Sequence, residues 1–218
     1  MRKTYITAAI AAALTFSAMT VSAQEPSAGQ VIDLGLSVKW AAWNIGASAP
    51  EESGVFYAWG ETETKEKFDA SNYKYYNGER TAITKYCDDH RGFNGFKDDI
   101  SRLLPEDDVA TVKWGNGWRM PTSEECRELL TKCKWSYIKY KGTEGWLVKG
   151  PSGKSIYIVH SGTMTQRGWM DFGTSVPSSD LYPGESWGCD GLYFVRSAAK
   201  GQLGLQREVG RCVRAVKD

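Results

Sequence analysis

The sequence predicts an α+β domain made mainly of antiparallel strands, with one or two short helices and a long loop region. Three observations carry this expectation: short apolar and aromatic runs broken by Gly and Asn, a strongly capped amphipathic helix beginning at Thr122, and a strand meander directly after it. The composition agrees. Of 218 residues 41% are hydrophobic and 24% charged, which suits a chain that folds around a core and excludes disorder.

From Val31, VIDLGLSVKWAAWNIGA alternates brief apolar stretches with turn residues, the pattern of strands joined by turns. Residues 54–60, GVFYAWG, read as another strand. Residues 61–96 are polar and Tyr-rich and keep neither the helix nor the strand period, so a long surface excursion is expected. At Leu104-Pro105-Glu106-Asp107-Asp108 a proline followed by acids starts a brief helix that ends by Trp114, since Pro suits a first turn and carboxylates complement the helix dipole. The helix at Thr122 is better specified. Thr122 and Glu125 make a T-x-x-E capping box, and Cys126, Leu129, Leu130 and Cys133 recur on one helical face.

Strands follow at residues 135–140, 146–149 and 155–160, with turns at 142–145 and 150–153. Residues 161–190, rich in Gly, Ser, Trp and Asp, are expected to form the long loop region, and two last strands fall at 192–196 and 212–216. No internal repeat or low-complexity linker interrupts the chain, so residues 24–218 are read as one domain.

Residues 1–23 read as a secretory signal: Arg2 and Lys3, an Ala-rich apolar run, then Val21-Ser22-Ala23 as a cleavage site. The run is too short and too interrupted by Thr and Ser for a membrane span, and residue 24 is Gln, not the Cys that a lipid anchor requires. A secreted, periplasmic or cell-surface location is expected. Without Arg2 and Lys3, 25 basic residues face 26 acidic ones, which lacks the basic excess of a nucleic-acid binder. Five cysteines, Cys87, Cys126, Cys133, Cys189 and Cys212, then meet an oxidising compartment; most are read as core thiols. With no C-x-x-C and only two His, no zinc site is expected.

Four segments, GLSVKWAAWNIGAS from Gly35, YAWGETETK from Tyr57, LPEDDVATVKWGNGWRMPTSEECRELL from Leu104 and the closing GRCVRAV from Gly210, resemble the Fibrobacter succinogenes major paralogous domain family of Bacteroidetes. The resemblance spans nearly all of residues 24–218, with WGNGWRMPTSEE its most specific piece. It implies a C-type-lectin-like fold related to the formylglycine-generating-enzyme group, with N- and C-terminal strands lying together and long loops forming the variable surface. Relatives carry an aromatic Trp-Ser-Ser at the return from loop to strand, where this chain reads Pro177-Ser178-Ser179.

Catalytic patterns fail one by one. Gly184-Glu185-Ser186-Trp187-Gly188 matches the G-x-S-x-G nucleophile elbow, but it lacks the strand before, the helix after and any His downstream. Gly153-Lys154-Ser155 imitates the end of a phosphate loop with Val148 where the first Gly belongs. The reactive Cys pair of the formylglycine-generating group and the sugar-binding Glu-Pro-Asn, Gln-Pro-Asp and Trp-Asn-Asp motifs of C-type lectins are absent. The acid pairs Asp88-Asp89, Asp98-Asp99 and Asp107-Asp108 read as caps and solvated charge, not as a calcium site.

The best ligand-binding candidates are Trp169, Asp171, Tyr182, Trp187 and Asp190, aromatic rings beside carboxylates in the expected long loop region, suited to sugar faces and hydroxyls or to anchoring a protein. Trp40, Trp43, Trp59, Trp114, Trp118, Trp135 and Trp146 are assigned to packing. No cofactor or metal is expected. The leading expectation is an exported, non-catalytic domain that recognises a glycan or protein. The alternatives are a secreted hydrolase using a pair of loop carboxylates, and a structural or assembly component of the surface.

Overall fold

Short strands punctuated by glycine dominate the first half of the chain, and longer hairpins the second. The structure, a computed structural model, describes residues 30–88, 94–196 and 198–218, and the side chains of 198–200 are left aside. The leader expected at 1–23 and the pair member Asp89, like His90, lie outside these residues. In chain order come β1 (Val31–Ile32), β2 (Lys39–Ala41), β3 (Phe56–Tyr57), α1 (Val109–Trp114), β4 (Trp118–Arg119) and α2 (Ser123–Lys132). Then follow β5 (Lys134–Tyr140), β6 (Thr143–Lys149), β7 (Ser155–Val159), β8 (Thr163–Thr165) and β9 (Gly168–Met170). The chain ends with β10 (Thr174–Tyr182), β11 (Glu185–Val195), β12 (Ala198–Gln206), β13 (Arg211–Cys212) and β14 (Val216–Lys217). All pairings are antiparallel, so the expectation of a mainly antiparallel α+β chain with two short helices holds.

The two ends of the described chain meet in one sheet of order β1-β2-β14-β4, where Val216 faces Trp40 on one side and Arg119 on the other. The meander β5-β6-β7 and the hairpin sheet β10-β11-β12 flank the rest. Helix α2 starts as its residues dictate. Thr122 accepts from the Glu125 amide while the Glu125 carboxylate accepts from the Thr122 amide at 2.8 Å. Its buried Cys126 and Leu129 pack with Val176, Leu192 and Phe194 of β10 and β11. The proline-led segment before it divides in two: a 3-10 turn at Pro105–Asp107, then α1, which Asp108 caps by accepting from the Ala110 and Thr111 amides. The turn between β5 and β6 is Lys141-Gly142, both with positive φ, and Gly145 belongs to β6.

Three expectations are corrected. The described residues of 61–96 are no surface excursion: Phe68, Tyr73, Tyr75, Tyr76, Ile83, Tyr86 and Cys87 are buried in the main core. Tyrosine disguises this, because its ring suits a core and its hydroxyl finds a partner there; Tyr73 and Tyr75 donate to the carbonyls of Trp59 and Gly60. Residues 161–190 form no long loop: they hold β8, β9, β10 and the start of β11. Both faces of β10 and β11 are covered over much of their length, so no polar alternation marks them, and small buried residues such as Ser175, Ser178 and Ser179 read as loop. Finally, 212–216 is split between β13 and β14, and β12 was not foreseen at all.

Candidate functional site

The sheet β10-β11-β12 positions the site. Its register sets Cys189 opposite Leu205 and Gly191 opposite Leu203, so that Trp187, Cys189, Gly191 and Tyr193 share a face of β11 with Leu203 and Leu205 of β12. On the opposite face, Leu192 and Phe194 pack against α2. Where the first face runs beyond the main core, it opens into a groove of about 340 Å³ walled by Phe172, Trp187, Tyr193, Leu203 and Leu205. Thr163 and Thr165 of β8, Gln206, Val209 and Arg211 complete it.

Phe172 is 53% and Leu203 41% exposed, which makes the wall an apolar surface open to solvent. The Tyr193 hydroxyl donates to the Phe172 carbonyl and ties the two walls together. Gly173, with a φ of +91°, carries the chain from Phe172 into β10; a Cβ there would stand 2.4 Å from the Phe194 carbonyl oxygen. Arg211 donates to the carbonyls of Gln206 and Val209 through Nη1, and its Nε has no partner among the described residues. Burial lowers its guanidinium pKa from the ordinary value. Thr163 is buried, and its Oγ1 also lacks a partner among the described residues.

The five sequence-derived candidates do not converge. Trp187 lines the groove. Trp169 is 52% exposed, but its cross-strand partner is Met164, whereas the alternate Thr163 and Thr165 line the groove, and its indole donates to the Ser161 carbonyl at 2.7 Å. Tyr182 stands at the end of β10 against Gly204 and Gly188. Asp171 is exposed and sits 2.5 Å from His160 Nε2, with Arg196 Nη2 at 3.1 Å; the His160 contact lowers its pKa.

Asp190 does not line the groove. It is only 4% exposed, on the α2 side, where Oδ1 accepts from the Gly191 amide and Oδ2 from Gln202 Nε2, and burial raises its pKa. Tyr193 and Leu203 were missed because their common face exists only once β11 and β12 are paired, and Phe172 because it joins them through the Tyr193 hydroxyl. The elbow serine, Ser186, lies on β11 just after the Pro183-Gly184 turn and is buried, so the nucleophile pattern is a hairpin.

A larger cleft of about 730 Å³ runs along α2, lined by charged and hydroxyl side chains together with Leu103, Pro105 and Met120, and without an aromatic ring. Most of its carboxylates are engaged. Asp108 accepts from the amides of Ala110, Thr111 and Met120, and burial raises its pKa. Glu125 holds Arg119 in a two-bond fork at 2.7 and 2.8 Å, and Glu128 takes Ser37 and Lys132. Among the described residues, no group of three or more His, Cys, Asp or Glu is arranged to hold a metal, and no helix is long and apolar enough to cross a membrane. No family model matches the chain, and no curated protein or solved structure is similar to it.

Proposed function

We propose that this chain is an exported, non-catalytic recognition domain of C-type-lectin-like fold that binds a glycan or protein in the groove walled by Phe172, Trp187, Tyr193 and Leu203. The observation that carries the reading is the groove itself: aromatic and aliphatic walls left open to solvent, rimmed by hydroxyl, amide and guanidinium groups. Apolar rings take sugar faces or side-chain anchors, and the polar rim fixes orientation. The last strand, β14, pairs with β2 in the sheet that also holds β1, which supports the lectin-like reading because the family resemblance implies that N- and C-terminal strands lie together. A hydrolase would need two uncommitted carboxyl groups facing each other across a cleft, and the engagement of Asp108, Glu125 and Glu128 favours recognition over that alternative.

The test is a screen of the purified protein against immobilised glycans and proteins, with Trp187→Ala, Phe172→Ala and Trp169→Ala beside it. The expected result is a ligand whose binding falls about tenfold or more in the first two variants and is retained in the third. Loss in Trp169→Ala with Trp187→Ala unaffected would move the site to the outer face of the β8-β9 hairpin and overturn the groove.

A further inference from the structure

The groove does not end at Thr165, Gln206 and Val209. These three residues also line a second hollow of about 470 Å³, bounded on its far side by Asp69, Ser71, Arg80 and Glu208. From Leu203 to Gln206 the strand advances roughly 10 Å, and the two hollows adjoin at Thr165, Gln206 and Val209. One half is walled by aromatic rings, and the other sets charged and hydroxyl side chains beside Phe68, Ala70 and Val209.

Glu208 makes the polar half more than a dent. Its side chain is 4% exposed, and both Arg80 contacts, from Nε and from Nη2, fall on the same carboxylate oxygen, Oε1. Oε2 has no partner among the described residues. A guanidinium in fork geometry would serve both oxygens, so Arg80 leaves a buried acceptor unfilled, and an unfilled buried acceptor carries a desolvation cost that an incoming donor relieves. Arg80 is itself 42% exposed at the edge of this hollow. Asp69, Glu79 and Glu208 against Arg80 give this half an acidic balance that disfavours anionic ligands.

We propose that the whole cleft takes a neutral oligosaccharide of several units, stacking one end on the Trp187 and Tyr193 walls and donating a hydroxyl to Glu208 Oε2 at the other. This rests on the recognition reading and narrows it. Sugar rings offer apolar faces to the first half and hydroxyl donors to the second, and a chain of them follows a cleft that changes character along its length.

Calorimetric titration with cello-, manno- and xylo-oligosaccharides of increasing length tests it. In the wild-type protein affinity should rise by about tenfold or more from the disaccharide to the longer members of one series. Glu208→Gln should abolish that rise and leave disaccharide affinity unchanged, while Trp187→Ala weakens every length. Should Glu208→Gln fail to fold, saturation-transfer NMR on the wild-type protein reads the same point, with contact expected at both ends of the bound chain. Length-independent binding with a silent Glu208→Gln, or saturation confined to one end, overturns the extended cleft and leaves recognition standing. Failure of every series also overturns it, whereas the recognition reading falls only if the glycan and protein screen is empty too.

Discussion

Arg207 shows what single residues contribute in this protein. It is fully buried, and no carboxylate among the described residues pairs with it. Its guanidinium instead donates to the carbonyls of Lys85, Tyr86 and Ser186 and to the Tyr73 hydroxyl, and Trp59, Tyr73 and Tyr76 ring it within 4.8 to 5.7 Å of their centroids. The charge is held by dipoles and ring faces, so removing it strands three carbonyls in the core. Arg207→Ala should cost about 3–5 kcal/mol in urea unfolding, and Arg207→Lys should recover little, because an ammonium cannot reproduce the fork.

Asp107 supplies a pH dependence. Burial alone would raise its pKa, but hydrogen bonds from Lys74, Lys85 and the Tyr86 hydroxyl outweigh that and hold the carboxyl well below its ordinary range. A lowered folded-state value stabilises the fold above the unfolded value near ~4 and withdraws that contribution as pH falls below it. Asp107→Asn should therefore lower stability at neutral pH and flatten the acid limb of a stability-against-pH curve. The cysteines add a count. No disulfide joins the five among the described residues, four of them are buried, and burial pushes the Cys189 and Cys212 thiols up to about 12 and Cys133 up to about 11. Alkylation read by mass spectrometry should leave the native protein almost unmodified and add five groups after denaturation; fewer than five would reveal a bridge.

At the scale of elements, legibility follows locality. Helix α2 could be read residue by residue because its cap and apolar face are local chemistry, and Thr122→Ala should cost about 0.5–2 kcal/mol by breaking the reciprocal cap. The meander β5-β6-β7 was legible for the same reason, with glycine turns at fixed offsets. β10 to β12 were not. Their stability comes from partners far away: the Trp59 indole donates to the Ser178 carbonyl and the Leu103 amide to Ser179, across more than seventy residues of chain. Serines that satisfy such contacts have the composition of a loop and the position of a core. The Tyr-rich stretch failed likewise, because hydroxyl partners supplied by Trp59, Gly60 and Arg207 appear only after folding.

For the whole molecule, the candidate site was half legible. Trp187 was named from its aromatic, Gly-rich surroundings, and it does wall the groove; Asp190, three positions on, has the opposite strand parity and points into the interface with α2. Parity could not be assigned while the segment was read as a loop. The groove depends on long-range assembly: β8 is held by the Met164–Gly210 bridge, β12 by its ladder to β11, and Phe172 by the Tyr193 hydroxyl. Recognition at this groove is the central claim, and the α2 cleft is its rival. An amide NMR titration with the tightest ligand from the screen decides between them. The account predicts shifts at Thr163, the Trp187 indole, Tyr193, Leu203 and Gln206; shifts gathered instead at Ser37, Thr122 and Glu124 along α2 would contradict it.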